Sequence, residues 1–160
     1  MRKSPVTPKH YNPVTLTRKD RKIQAAQLSK SRRLYKLGKY HVRRKVKSFK
    51  SKKSGHVVNA KRIYKVDRIT ANKNLAKRTG CTVKALRTIV KKGMGAYYSS
   101  GSRPNQTAQS WGRARLASAI TGGPSARVDM GTLERGCGRR SKALKLAKQR
   151  FGKLTQKNVK

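Results

Sequence analysis

The residues able to do chemistry in this chain are almost all cations. Asp20, Asp67, Asp129 and Glu134 are its only carboxylates, and no two stand closer than Asp129 and Glu134. General acid–base work needs a titratable group with a partner, and metal-assisted phosphate chemistry needs clustered carboxylates. Cys81 and Cys137 form no CxxC pair and lie far along the chain from His10, His41 and His56, so the local spacing of a zinc site is missing. A disulfide between the two cysteines is open but unforced, and reduced, partly buried thiols are expected. No Walker loop occurs, and Gly93-Met94-Gly95 lacks the rest of a dinucleotide fingerprint. The sequence predicts a non-enzymatic protein with no metal, no cofactor and no small-molecule substrate.

What remains is charge. Lys and Arg number 44, for a formal net charge of +40, and three places concentrate them usefully. Residues 39–56 carry Arg43, Arg44, Lys45, Lys50, Lys52 and Lys53 with Tyr40, Val42, Val46 and Phe49 interspersed. Basic residues interleaved with aromatics suit backbone contact and stacking on nucleic acid, although a solvated charge run has the same composition. Lys84, Arg87, Lys91 and Lys92 fall on what reads as the outer face of a helix. Arg103 sits in the loop 99–106, where successive turn amides could hold a phosphate or a carboxylate.

The elements that must position these groups follow from periodicity. Pro5, Pro8 and Pro13 predict an extended arm over 1–16. Thr17, with Asp20 three residues on, predicts a capped helix start. Ile23, Ala26, Leu34 and Leu37 then form a thin apolar stripe that Gly38 ends. Val57, Ala60 and Tyr64 predict a short helix ending near Asp67. Leu75 and Ala76, the Gly80 turn, and a helix capped by Thr82 with Val83, Leu86, Ile89 and Val90 inward follow the helix-turn-helix pattern. A plain packed hairpin would read the same way.

Residues 93–123 are the least basic stretch, rich in small residues, with Tyr97, Tyr98 and Trp111 among them. There a structured loop is expected to hold a short, tightly packed helix starting after Thr107. Gly112, Leu116, Ala119 and Ile120 recur at helical spacing, with Trp111 as the largest apolar anchor, and Gly122-Gly123-Pro124 stops the run. Ser141 can cap a last helix with Leu144, Ala147 and Phe151 on one face.

Leu, Ile, Val and Phe total only 29 of 160 residues, below the roughly 20% usual for self-sufficient domains. The expected fold is therefore mainly α: a small helical centre with a glycine-turn, helix-turn-helix-like hairpin and long basic extended arms. The division is an arm over 1–16, a basic helix and linker over 17–69, the folded centre over 70–137, and a basic helix and tail over 138–160. The basic segments are expected to order against an acidic partner. No apolar run reaches the length of a membrane span, and no signal-peptide pattern opens the chain. A reducing, intracellular setting is expected.

Four segments carry a resemblance: LTRKDRKIQAAQLSKSRRLYKLGKY (16–40), VKSFKSKKSGHV (46–57), LAKRTGCTVKALRTIVKKGMGAYYSSGSRPNQTAQSWGRARLASAITGG (75–123) and VDMGTLERGC (128–137). Through them, and through the SSGSRPNQ…SW…ARLAS string above all, the chain resembles an uncharacterised family of small basic proteins of large double-stranded DNA viruses. The resemblance implies a virion setting and assigns no catalytic or binding residue. The function expected first is a minor capsid protein whose basic segments bind acidic surfaces of neighbouring shell proteins. A genome-associated protein binding double-stranded DNA without sequence preference is the alternative. A ribosomal-type RNA-binding protein, suggested by charge alone, comes third.

Overall fold

The computed structural model describes residues 6–155, so part of the expected N-terminal arm and of the basic tail lies outside the described residues. Among those described are a 3-10 turn at Lys9–Tyr11 and eight α-helices. They are α1 (Arg18–Lys36), α2 (Gly55–Tyr64), α3 (Lys73–Thr79), α4 (Val83–Ser99), α5 (Ala108–Ile120), α6 (Pro124–Val128), α7 (Met130–Gly136) and α8 (Lys142–Thr155). The mainly helical expectation holds. The chain divides into two compact units, Met1–Lys52 with Gly95–Ala108, and Lys53–Met94 with Gln109–Lys160. The boundaries cut α4 after Met94 and α5 after Ala108, so neither unit is one continuous stretch of sequence.

In the first unit α1 starts where Thr17 predicts, its hydroxyl accepting from the Asp20 amide at 3.2 Å. The predicted apolar stripe is not the buried face, however. Leu37 and Ile23 are exposed, and the face turned inward is Asp20, Gln24, Leu28 and Ser31. Hydrogen bonds rather than apolar area select that face. The Ser48 amide and hydroxyl donate to Asp20 at 2.8 and 2.6 Å. Gln24 donates to the Tyr11 carbonyl and Ser31 to the Tyr98 carbonyl, each at 3.0 Å. Asp20, Gln24 and Ser31 thus each find a partner, which offsets the penalty that burial would otherwise impose. Leu16, Leu28, Val46, Tyr97 and Ala108 complete this modest interior.

The basic segment after α1 is extended, as composition suggests, but it is held within the unit. Asn105 accepts from the Val46 amide at 2.7 Å and donates to the carbonyls of Val46 and Phe49. Gln27 exchanges two bonds with the backbone of Arg44. The Asn105 anchor comes from the loop after α4, about sixty residues away in sequence, and no local pattern announces it.

The second unit holds the apolar core. Tyr64, Ile69, Leu75, Leu86, Ile89, Leu116, Ile120, Leu133 and Leu144 are all buried, with Ala60, Ala117, Ala119, Ala126, Ala143 and Ala147 between them. The core thus runs past 70–137 in both directions, taking in α2 and α8. Asn72 caps α3 and Thr82 caps α4, whose oxygens accept from Leu75 and Ala85 at 2.9 and 3.1 Å. Gly80 ends α3 at φ +77°, and a Cβ there would lie 2.6 Å from that of Ser141, so glycine is needed for conformation and for space. The Ser141 hydroxyl accepts from the Leu144 amide at the start of α8, as expected.

Helix α4 runs straight through Gly93-Met94-Gly95 to Ser99. Gly93 and Gly112 serve close contact: a Cβ on Gly93 would meet the Gly112 Cα at 2.7 Å, and one on Gly112 the Val90 carbonyl at 2.7 Å. Helices α4 and α5 cross on that bare backbone. One expectation is overturned here: Cys81 and Cys137 are not free thiols but a disulfide. Their two residues also form a single antiparallel bridge that brings the α3–α4 turn onto the end of α7, and Thr82 donates to the Gly136 carbonyl at 2.8 Å. The partners stand 56 residues apart, which is why local spacing gave no sign of them.

Candidate polyanion-binding surface

Helix α4 is the second helix of the glycine-turn hairpin, and its caps and inward residues fix how it is rotated. Ala85, Leu86 and Ile89 are buried, which turns Lys84, Arg87, Lys91 and Lys92 outward, all exposed. Lys84, Arg87 and Lys91 follow i, i+3, i+7 spacing and share one stripe. From α5, one turn after Gln109, Arg113 joins them. Arg87, Lys91 and Arg113 flank a groove of about 370 Å³ whose other lining residues are Thr70, Ala71, Val90, Met94 and Gln109. Among the described residues no side-chain acceptor meets Lys84, Arg87, Lys91 or Arg113, while the Lys92 ammonium reaches the Thr132 hydroxyl at 3.5 Å. Exposed like charges repel weakly because water and salt screen them, so they can stay gathered for an anionic ligand.

The other predicted contacts scatter. Arg44, Lys45, Lys50 and Lys52 are exposed in the first unit and Lys53 in the second. Arg103 is exposed on its loop. Arg43 is turned inward instead. Its guanidinium lies 3.8 Å from the Tyr97 ring centroid and donates to the Tyr97 carbonyl at 2.7 Å, Ser31 Oγ at 3.0 Å and Ser102 Oγ at 2.8 Å. Gly112 and Leu116 are buried as expected, and Trp111 is half-buried.

Sequence reading missed Arg113, which helical periodicity from Gln109 could have placed beside α4 only with the Gly93–Gly112 crossing in hand. It also left open which arginine pairs with Asp129. Arg115 does, through bonds of 2.9 Å from Nε and Nη2 to the two carboxylate oxygens. No group of His, Cys, Asp and Glu among the described residues could hold a metal ion, and no described helix is long and apolar enough to cross a membrane.

Fold and surface together define a mainly helical, strongly basic protein with a helix-turn-helix-like hairpin whose second helix displays exposed cations. Residues 8–130 match a family of unknown function, DUF5824, and the chain belongs to that family. No curated protein and no solved structure matches the chain.

Proposed function

We propose that this protein is a non-enzymatic nucleic-acid-binding component of a virion, holding the phosphate backbone of double-stranded DNA without reading its sequence. The observation that carries the reading is the stripe of Lys84, Arg87 and Lys91 on α4, joined by Arg113, with no side-chain acceptor for any of the four among the described residues. Cations held in register on a rigid helix release counterions when they meet phosphates. The virion setting rests on the resemblance to proteins of large double-stranded DNA viruses. The basic segment 39–53 supports contact with a polyanion in the same way, through exposed Arg44, Lys45, Lys50 and Lys52.

The test is the salt dependence of binding to a random-sequence duplex. Each backbone contact adds close to one unit to the slope of log K against log salt. Lys84→Gln/Arg87→Gln/Lys91→Gln is expected to flatten that slope by about two to three units and to weaken binding equally for all sequences. An unchanged slope would remove α4 from the interface.

A second reading, a minor capsid protein bound to acidic shell neighbours, is favoured by the groove itself. Val90, Met94 and Ala71 beside Arg87, Lys91 and Arg113 suit an acidic peptide with an apolar anchor. Nuclease treatment of opened particles separates the two: the protein leaves with the DNA on the first reading and stays with the shell on the second.

A further inference from the structure

The loop after α4 gathers three guanidiniums onto four consecutive residues. Arg32 Nε donates to the Ser100 carbonyl at 2.9 Å, Arg43 Nη2 donates to Ser102 Oγ at 2.8 Å, and Arg103 is the next residue. Each acceptor that Arg32 and Arg43 use is a neutral oxygen: Thr7 Oγ1, Ser31 Oγ, Ser100 O, Tyr97 O and Ser102 Oγ. The unit's sole carboxylate, Asp20, is committed to Ser48. Arg43 is 8% exposed, so its charge sits largely away from water with no counter-ion among the described residues, an arrangement that proteins ordinarily avoid.

The donor inventory points outward from there. Arg32 spends Nε and one Nη1 hydrogen on oxygens, leaving Nη2 without an acceptor among the described residues, and the Arg103 guanidinium has none there either. The loop is also shaped in advance. Gly101, at φ +121°, is pressed so closely that a Cβ would lie 2.8 Å from Leu28 and 3.2 Å from the Tyr11 ring, and Pro104 is buried. Burial raises the pKa of the Tyr11 hydroxyl above its ordinary value, and all three arginines oppose that rise. Burial, followed among the lowering causes by Arg32, pulls the Arg43 guanidinium below its ordinary value, with Tyr97 opposing.

We propose that Arg32 and Arg103, backed by the buried Arg43 at the 100–103 loop, form a binding site for a tetrahedral phosphate dianion. Guanidinium forks match the geometry of phosphate oxygens, and two of them at the loop that also holds a desolvated third charge favour a dianion over a singly charged ion. The ligand is inorganic phosphate or a phosphate monoester. This site lies in the first unit and does not depend on the α4 stripe, so either proposal can fail alone.

Thermal unfolding and titration calorimetry of the full chain at fixed ionic strength, with phosphate replacing chloride, test it. Phosphate is expected to raise the melting temperature above that in chloride. Arg103→Gln, a change at an exposed side chain, is expected to weaken the apparent phosphate affinity about tenfold or more, the size of a lost charged hydrogen bond. Arg68→Gln, exposed in the second unit, controls for loss of general charge and is expected to leave the affinity unchanged. Adenosine monophosphate and adenosine separate the sources. Monophosphate binding tighter than inorganic phosphate assigns the site to esters, and equal or weaker binding assigns it to the free ion. Equal melting temperatures in phosphate and chloride, an Arg103→Gln response matching Arg68→Gln, or adenosine binding as well as its monophosphate would overturn the proposal.

Discussion

Asp129 and Asp20 are both buried carboxylates in a chain with a tenfold excess of cations, yet they are satisfied by different chemistry. Asp129 is completely buried and holds Arg115 by two bonds, the arginine being 21% exposed. Removing one partner of a buried pair strands the other charge. Arg115→Met is therefore expected to cost about 3–5 kcal/mol in urea unfolding, more than Trp111→Ala, whose ring is only half-buried. Equal midpoints for the two variants would mean that Asp129 finds another partner. Asp20 instead accepts from the hydroxyl and amide of Ser48, which hold its carboxyl below the ordinary value of 3.8. A depressed folded pKa contributes stability that is complete above the unfolded value and is lost as pH falls through the folded one. Below about pH 4 the protein should therefore lose stability, and Ser48→Ala should flatten that acid limb. A Ser48→Ala stability profile parallel to the parent's between pH 2 and 6 would contradict this.

Elements in this protein are oriented by what they meet. Helix α1 buries a polar face because the segments around it supply donors and acceptors at the right places. Helices α4 and α5 approach closely because Gly93 and Gly112 leave the crossing bare. The two neighbouring glycines of α4 should accordingly answer oppositely to the same substitution. Gly93→Ala meets backbone at 2.7 Å and is expected to destabilise by about 1–3 kcal/mol. Gly95→Ala finds only the Tyr35 hydroxyl, at 3.8 Å, and should stabilise by up to about 1 kcal/mol, because alanine loses less backbone entropy in a helix. Thermal melts of the two variants check this by sign alone; shifts in the same direction would refute the crossing.

At the scale of the whole molecule, a chain so poor in large aliphatic residues has to offset conformational entropy and self-repulsion together. Part of the answer is covalent. The Cys81–Cys137 bond joins residues 56 apart in sequence, and cross-links that close loops of that length stabilise by about 2–5 kcal/mol. Unfolding with and without reductant is expected to show a loss of that size, reproduced by Cys81→Ser and Cys137→Ser. A transition that ignores reductant would show that the helical core suffices. The rest of the answer is polar: the first unit is held by hydrogen bonds around the buried Asp20, Gln24, Ser31 and Arg43, with few apolar side chains.

The sequence by itself determined the helical class, the start of α1 at Thr17, the Asn72–Thr82 region as a glycine-turn hairpin, the inward line of α5 through Leu116 and Ile120, and the outward set of Lys84, Arg87, Lys91 and Lys92. All of these rest on interactions within about one helical turn, which periodicity, caps and φ preferences report directly. Tertiary structure alone decided which face of α1 is buried, that residues 39–52 pack with 95–108, that Arg43 points inward while Arg103 does not, and that Arg115 and Cys137 are the partners of Asp129 and Cys81. Each of those depends on groups between 13 and 67 residues apart in sequence. A lysine or arginine in a basic run carries no local mark of whether its donors meet a carbonyl of the same chain or an anion from outside.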